Sequence, residues 1–488
     1  MQYFLVIQAV ISYVENRVKT LVDSTELEKI TGFSLPHTRE VFAQATGVSL
    51  AKYVLSRKIA NAAFEIAHTQ RKILDIALDY GFDNYDTFTR AFRRVTGTAP
   101  RNFRKESRQV GRIKLYAGTY GPGISGTGSI AKEESNMKTV KSDNSCILHG
   151  VPKVEYKSGE CTPFPACLKA CLNYLGQDIS YAYLMAVSGA AFRLRWNTAR
   201  WDGGNVDLLR IYDNPLEAFE RSFVAAGRSF RLLNRTSQTS KADFIGLIRT
   251  EIDQGRPVIA LGIIGPPEAC IITGYRKDGE ILLGWNFFQD NPEFATDVSI
   301  DQTGYFACAN WWENPNTLAV MSVSEEKGSK TGTKEVLENA IAVMTREQIG
   351  DYAGGQRAYA EWAKALSDDS QFPENAVWPL LFERLMCQGD AMDMIAEGRY
   401  YGAKYMELAA EEDKRISAEC LRAAKLFKEE AAVAEKMSEV LGSWQRGEDQ
   451  ARALACPAVR AELVMLIAKA KELDAQACRV LSQIVAKL

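Results

Sequence analysis

Apolar positions in the first hundred residues recur with helical spacing, and the pattern is interrupted twice by the same device. Between residues 24 and 42, and again between 73 and 92, two short amphipathic stretches meet at a Gly-aromatic pair, Gly32-Phe33 and Gly81-Phe82. Glycine permits the positive φ that ends a helix and the Phe packs beneath the next one, so each region predicts a helix, a tight turn and a second helix. Ser34, and Asp83 or Asn84, stand where a side chain can cap the second helix of each pair. Residues 117–145 are rich in Gly, Ser and charge with little apolar periodicity, which predicts a flexible linker. From 146 to 327, short β-like runs (257–264, 270–273, 281–283) mix with helical stretches (166–175, 241–254), an α+β pattern. After a polar break at 324–334, an almost continuous helical pattern rich in Ala, Glu, Lys and Leu runs from about 335 to 488 and predicts a bundle of long amphipathic helices.

The expected architecture is therefore multidomain: an all-α double helix-turn-helix (1–116), a linker (117–145), an α+β domain (146–327) and a helical bundle (328–488). A length of 488 residues agrees with about three domains at roughly 100–200 residues each. Hydrophobic residues at 46% and charged residues at 25% exclude wholesale disorder and fibrous repeats. No apolar run approaches the ~20 residues of a membrane span, and the opening stretch lacks the basic region and cleavage site of a signal peptide. Ten cysteines are scattered without paired zinc-type spacing, which points to a reducing cytoplasm and to neither metal nor cofactor. The net charge of −2 conceals an asymmetry, because residues 1–116 hold 18 Lys+Arg against 11 Asp+Glu, or +7, leaving −9 for the remainder. A basic segment joined to an acidic one is the charge layout of a nucleic-acid reader fused to another module.

Each helix pair would present one exposed helix to a major groove. Gly32-Phe33-Ser34, Phe42, Gly47-Val48-Ser49, Ile73, Ala77, Tyr80-Gly81-Phe82, Phe88, Arg90, Phe92-Arg93, Thr96-Gly97 and Pro100 with Phe103-Arg104 occur in the order of the AraC-family DNA-binding domain, which this region resembles over about 100 residues. The resemblance implies seven helices, with residues 50–68 as a rod holding two readers about one helical turn of DNA apart, ~34 Å. It also implies that Pro36, His37, Arg39 and Glu40 of the first reader, and Asn84, Tyr85, Asp86, Thr87 and Arg90 of the second, face bases. Arg39 and Arg90 are the candidates for bidentate guanine contacts, whereas Arg93, Arg94, Arg101, Arg104 and Lys105 are expected on phosphates. Double-stranded DNA is thus the expected partner.

In the middle region, Cys161-Thr162-Pro163 followed by 164–176 resembles the nucleophile helix of papain-like cysteine peptidases and of butirosin-type acyltransferase N-terminal domains. Cys161 stands two residues from the position that the resemblance marks for the nucleophile. The run from Glu268 through Cys270 and Gly274 to Trp285-Asn286 resembles the hairpin that begins at the catalytic His and ends at its orienting Asp, but Glu268 stands where His belongs. A cysteine nucleophile needs an imidazole partner, and the chain has only His37, His68 and His149. The expected domain is a degenerate, non-catalytic papain-like fold kept for binding. The rival from another class is a DNA-tethered cysteine acyltransferase or peptidase using Cys161.

Five of eight tryptophans lie between 196 and 312, beside the polar run at 201–207, and aromatic walls with a few polar groups suit a small-molecule pocket. Cys161, Phe164, Trp196, Trp201, Asn205, Glu268 and Trp285 are the candidate ligand contacts, with Glu268 a possible anchor for a cation. Tyr352 through Trp362 resembles the helical segment following the papain-like domain in butirosin-type proteins. Together these features predict a cytoplasmic regulator that reads DNA and senses a small effector, with no membrane partner and with a homodimer admitted.

Overall fold

The computed structural model describes residues 10, 13, 14, 19, 23–107, 139–324 and 331–488, apart from 32, 47, 48, 69, 70, 97, 98, 292, 293, 296, 297, 375 and 377. They divide into two compact units, one within Met1–Glu134 with Asn375–Phe382, the other Ser135–Glu374 with Glu383–Leu488.

In the first unit, α1 (Ser24–Thr31), α2 (Leu35–Thr46), α3 (Leu50–His68), α4 (Ile73–Asp79), α5 (Tyr85–Thr96) and α6 (Pro100–Ser107) follow in order, and Val10, Tyr13 and Val14 are also helical. Their apolar side chains form two separate cores. Val10, Tyr13, Val14, Leu27, Phe42, Leu50 and Tyr53 make the first; Ile59, Ala62, Ile66, Ile76, Ala77, Tyr80, Phe88, Ala91 and Phe92 make the second. α3 belongs to both, through Leu50 and Tyr53 at one end and Ile59, Ala62 and Ile66 toward the other. At 19 residues the rod is about 28 Å long at 1.5 Å per residue. The second core is cross-braced by aromatic rings, with Phe88 at 5.1 Å from Phe82 and 5.4 Å from Phe92, and Phe92 at 5.4 Å from Phe103. Such pairs add about 0.5–1.5 kcal/mol each beyond area burial.

Of the stretch read as a linker, 117–138 lies outside the described residues. Thr139–Ser142 is instead strand β1, which forms a hairpin with β2 (Ser145–Leu148).

The second unit is built on an antiparallel sheet. With β3 (Arg195–Asn197), β4 (Leu232–Asn234), β5 (Val258–Leu261), β6 (Ala269–Arg276), β7 (Ile281–Trp285), β8 (Val298–Ile300), β9 (Phe306–Cys308) and β10 (Ala319–Met321), the order is β4-β10-β5-β6-β7-β9-β8. β6 pairs along its first half with β5 (Val258↔Ile272) and along its second with β2 (Ile147↔Gly274). β5 is buried throughout and β6 nearly so, which is why both read as continuous apolar runs rather than alternating ones. In β7, a Cβ on Gly284 would lie 1.8 Å from the Ile271 carbonyl oxygen, so the strands approach only because the residue is glycine.

α7 (Pro163–Tyr174) packs on β6. Further helices are α8 (Tyr181–Val187), α9 (Glu217–Ala225), α10 (Lys241–Asp253), α11 (Thr333–Thr345), α12 (Gly355–Ser367), α13 (Trp378–Glu412), α14 (Ser417–Leu441), α15 (Glu448–Ala455) and α16 (Pro457–Val485). α10 starts with a reciprocal capping box between Ser240 and Asp243. Regions 146–327 and 328–488, read separately from sequence, share one apolar core running from Cys146 through Val343 to Phe427 and Ile484. The helical pattern after 335 is also interrupted. β11 (Gln348–Ile349) and β12 (Tyr352–Gly354) join β3 in a second small sheet, with Ala353 opposite Trp196. Among the described residues no helix is long and apolar enough to cross a membrane.

Candidate nucleic-acid interface and cleft

The two readers start their outer helices differently. In the second, Gly81 adopts φ +76°, its amide donates to the Leu78 carbonyl (3.0 Å) and that of Phe82 to Ala77 (3.1 Å), closing α4 in a left-handed turn. Asn84 then caps α5, its Oδ1 accepting from the Thr87 amide at 2.9 Å, while the Thr87 hydroxyl donates to the Asn84 carbonyl at 3.0 Å. Of the two caps the sequence allowed, Asn84 is the one used. In the first reader the Leu35 amide donates to the Glu28 carboxylate of α1 at 2.6 Å, where the sequence suggested a Ser34 cap. Buried Thr31 and Thr38 hydroxyls meet at 3.2 Å and join the same two helices.

On these helices Pro36, Arg39, Glu40, Asn84, Asp86, Arg90, Arg93 and Arg94 are exposed, while His37, Tyr85 and Thr87 are half-buried. His37 lies edge-on to Phe33 at 4.9 Å and 4.0 Å from Glu40. Arg101 covers the Tyr85 ring at 5.8 Å. Arg104 is placed differently from the phosphate contact expected of it. Its Nε donates to the Ile66 carbonyl (3.0 Å) and one Nη to Arg71 (2.8 Å), satisfying a last-turn carbonyl of α3 that the helix itself cannot bond. Lys105 lies in α6, and its side chain is outside the described residues.

The seven cleft candidates of the second unit are not all brought together. Phe164 is 2% exposed, 4.3 Å from Phe219, and belongs to the core. Trp285 donates to the Val151 carbonyl (2.9 Å) and packs edge-on to Tyr305 at 4.8 Å, also in the core. Trp196 stacks on Trp362 at 6.0 Å and meets Trp201 at 5.2 Å. Trp201 donates to Gln371 and lies under the Arg384 guanidinium. Asn286 does not orient Glu268; its amide donates to the Gly262 carbonyl at 3.1 Å and its oxygen accepts from the Phe288 amide at 2.7 Å, holding a turn.

Cys161 is half-buried immediately before α7, with Thr162 at the N-cap. The amide-rich end of this helix is taken by Glu397 of α13. That carboxylate accepts from the Cys161 amide (2.6 Å), the Thr162 amide (3.0 Å), the Thr162 hydroxyl (2.8 Å) and the Tyr181 hydroxyl (2.7 Å). A helix N-terminus ordinarily lowers a thiol pKa. Here burial and the negative charges of Glu397, Asp393 and Glu160 push the Cys161 thiol up to about 12, so it is un-ionised near neutrality. Burial, with Asp207 and Asp390 nearby, also raises Glu268 to about 7. Asp390, Asp393 and Glu397 were missed from sequence; their spacing of three and four residues along α13 places them on one helical face, a signal that was available. Among the described residues no group of three or more His, Cys, Asp or Glu could hold a metal ion.

A helix-turn-helix domain family matches residues 27–106. The chain is similar to the HTH-type transcriptional regulator YbfP of Bacillus subtilis, 31% identical over 104 residues that cover 21% of this chain and 35% of that protein. It is also similar to the regulatory protein SoxS of Salmonella typhimurium, 30% identical over 104 residues covering 21% of this chain and 97% of SoxS. A solved transcriptional regulator with an AraC-type DNA-binding domain, from Chromobacterium violaceum, aligns at 23% identity over 22% of this chain and 95% of that one, with a TM-score of 0.21. The chain thus spans about a third of YbfP and nearly all of SoxS. Through these N-terminal residues it belongs to the AraC family of helix-turn-helix DNA-binding regulators.

Proposed function

We propose that the protein is a sequence-specific transcriptional regulator whose first unit reads double-stranded DNA and whose second unit, a papain-like fold without its catalytic pair, holds a small effector. The observation that carries the DNA reading is one helix shared by two cores, each supporting an exposed helix whose arginines are uncommitted. Among the described residues Arg39, Arg90, Arg93 and Arg94 are exposed and engaged by no ion pair. Arg39 and Arg90 discriminate bases, and Arg93 and Arg94 hold phosphates.

The non-catalytic reading of the second unit is supported by the chemistry around Cys161. Its neighbours are carboxylates rather than imidazole, and the helix end that would stabilise a thiolate or an oxyanion is occupied by Glu397. The papain-like reading rests on the sequence motifs, on α7 following Cys161 and packing on β6, and on the β6–β7 hairpin lying between Glu268 and Asn286. Ten free cysteines suit a reducing cytoplasm.

The test is fluorescence anisotropy of the full chain against an operator selected from a random duplex pool, over a series of salt concentrations. Affinity should fall steeply with salt, by about 0.9 log units per log unit of salt for each phosphate neutralised. A chain that selects no sequence, or whose affinity ignores salt, would overturn the reading.

A further inference from the structure

The carboxylate of Glu268 has no hydrogen bond or ion pair among the described residues, although protein largely surrounds it. Asp207 and Asp390 act on it from nearby, and Arg193 is the cation that faces it. Asp390 is 7% exposed, and it shares Arg446 with Asp393, at 2.6 Å to each. Glu397 completes the group but is committed to the start of α7. Five carboxylates thus face three guanidinium groups, those of Arg193, Arg446 and Arg210, the last acting on Asp207. Asp207 and Asp393 are reachable by solvent, yet burial raises the pKa of both, the combination expected of groups lining a concave wall.

Acidic residues alone could be a solvated face. Two deeply buried polar groups indicate otherwise. Asn205 is 1% exposed and its Oδ1 has no hydrogen-bond partner among the described residues. It sits in the turn Gly203–Val206, where a Cβ on Gly203 would come 3.7 Å from Asp390 Oδ2, and Asp207 follows directly. The same turn thus sets Asn205, between Gly203 and Asp207, beside the acidic group. Arg193 is 5% exposed, donates one Nη to the Ala190 carbonyl at 2.7 Å, and keeps an unpartnered Nε. Its charge reaches Glu268, Asp207 and Asp393. Buried polar groups are almost always met in folded proteins, and these two adjoin the acidic group with an atom each to offer a molecule bound there. Among the described residues no group of three or more His, Cys, Asp or Glu is placed to hold a metal ion, so the charge that suits these carboxylates is one spread over a larger body.

We infer that this cleft binds a small organic cation, an ammonium or guanidinium compound, with Glu268 as its counter-ion and Asn205 accepting one of its N–H groups. Arg193 Nε meets an acceptor on the same molecule or on a water it carries. The inference rests on the proposal that the second unit holds an effector, and it names that effector's charge.

Thermal denaturation and calorimetry of the full chain would be run with putrescine and agmatine, beside neutral 1,4-butanediol and dianionic adipate. A saturable rise in melting temperature with either amine, absent with the diol, is expected. Glu268→Gln should weaken that binding about thirtyfold or more, as loss of one partner of an enclosed charge pair does. Asp207→Asn, which keeps an oxygen for the Leu209 amide, should weaken it severalfold while leaving the fold intact. If neither amine binds, the inference fails. A shift with adipate would then keep the effector proposal while reversing the ligand's charge, a shift with the diol would keep it with a neutral ligand, and no shift with any compound would count against both. Binding that Glu268→Gln leaves untouched would also overturn the assignment.

Discussion

Arg39, Arg90, Arg93 and Arg94 of the first unit turn their charge to solvent, whereas Arg195, Arg399 and Arg460 of the second are at most 3% exposed and spend theirs inside. Arg195 donates to the carbonyls of Leu194, Arg210 and Ile211. Arg460 holds the Leu366 carbonyl at 3.0 Å. Arg399 binds the carbonyls of Ala191 and Arg193 and the carboxylates of Glu430 and Asp474. In one unit the guanidinium is left to solvent; in the other it is a cross-link between layers. Arg104 is the exception that gives the contrast its content, since it lies in the DNA reader yet behaves like the arginines of the second unit. Role follows from whether unpaired backbone carbonyls lie within reach, and not from the local excess of positive charge.

Substitutions can break this contrast. Arg399→Met should cost the most, about 3–5 kcal/mol in denaturant unfolding of the second unit, because Glu430 and Asp474 remain buried without their cation. A loss below ~1 kcal/mol would mean that Arg399 is not the cross-link. Next, Arg104→Ala should lower the stability of the first unit by roughly 1–3 kcal/mol while leaving the salt dependence of DNA binding unchanged. Arg90→Ala should do the reverse, leaving stability within ~0.5 kcal/mol and costing about 1–3 kcal/mol of discrimination at one base pair. If Arg104→Ala flattened the salt dependence without altering the melting curve, the two residues would have to exchange roles. Arg94→Ala should affect all sequences alike and reduce the log–log salt slope by about 0.9.

The last effect depends on pH and concerns Glu268. Its folded-state pKa of about 7 lies above the ordinary 4.5, so the unfolded chain gives up that proton first as pH rises. The group therefore withdraws stability progressively between about pH 4.5 and 7, and the loss persists above that range. Glu268→Gln should melt higher than the native chain at pH 8, with the gain vanishing toward pH 5. A gain independent of pH would assign it to packing instead.

The readers were legible because their signals are local: Gly81 must ring-close α4, and Phe82, Phe88 and Phe92 recur at helical spacing around one small core. The α+β character of the middle was legible from the apolar runs of β5 and β6. What escaped was made by contacts distant in sequence. Nothing near Cys161 announces that a carboxylate 236 positions away will fill the helix end beside it. Phe164 and Trp285 looked like pocket walls because aromatic composition cannot separate a lining from a core. Tyr352–Gly354 escaped because a three-residue strand is specified by its partner, Arg195–Asn197, rather than by its own pattern.

The helix common to both readers works as a caliper of fixed gap and fixed phase. One extra residue between Tyr53 and Ile59 would swing one jaw about 100° around the axis and lengthen the gap by about 1.5 Å, with both cores still free to form. Each jaw would keep its own core, but on the proposed DNA-reading role the pair could no longer close on the same face of a duplex. On that role, the number of residues in this helix sets the phase between the two readers.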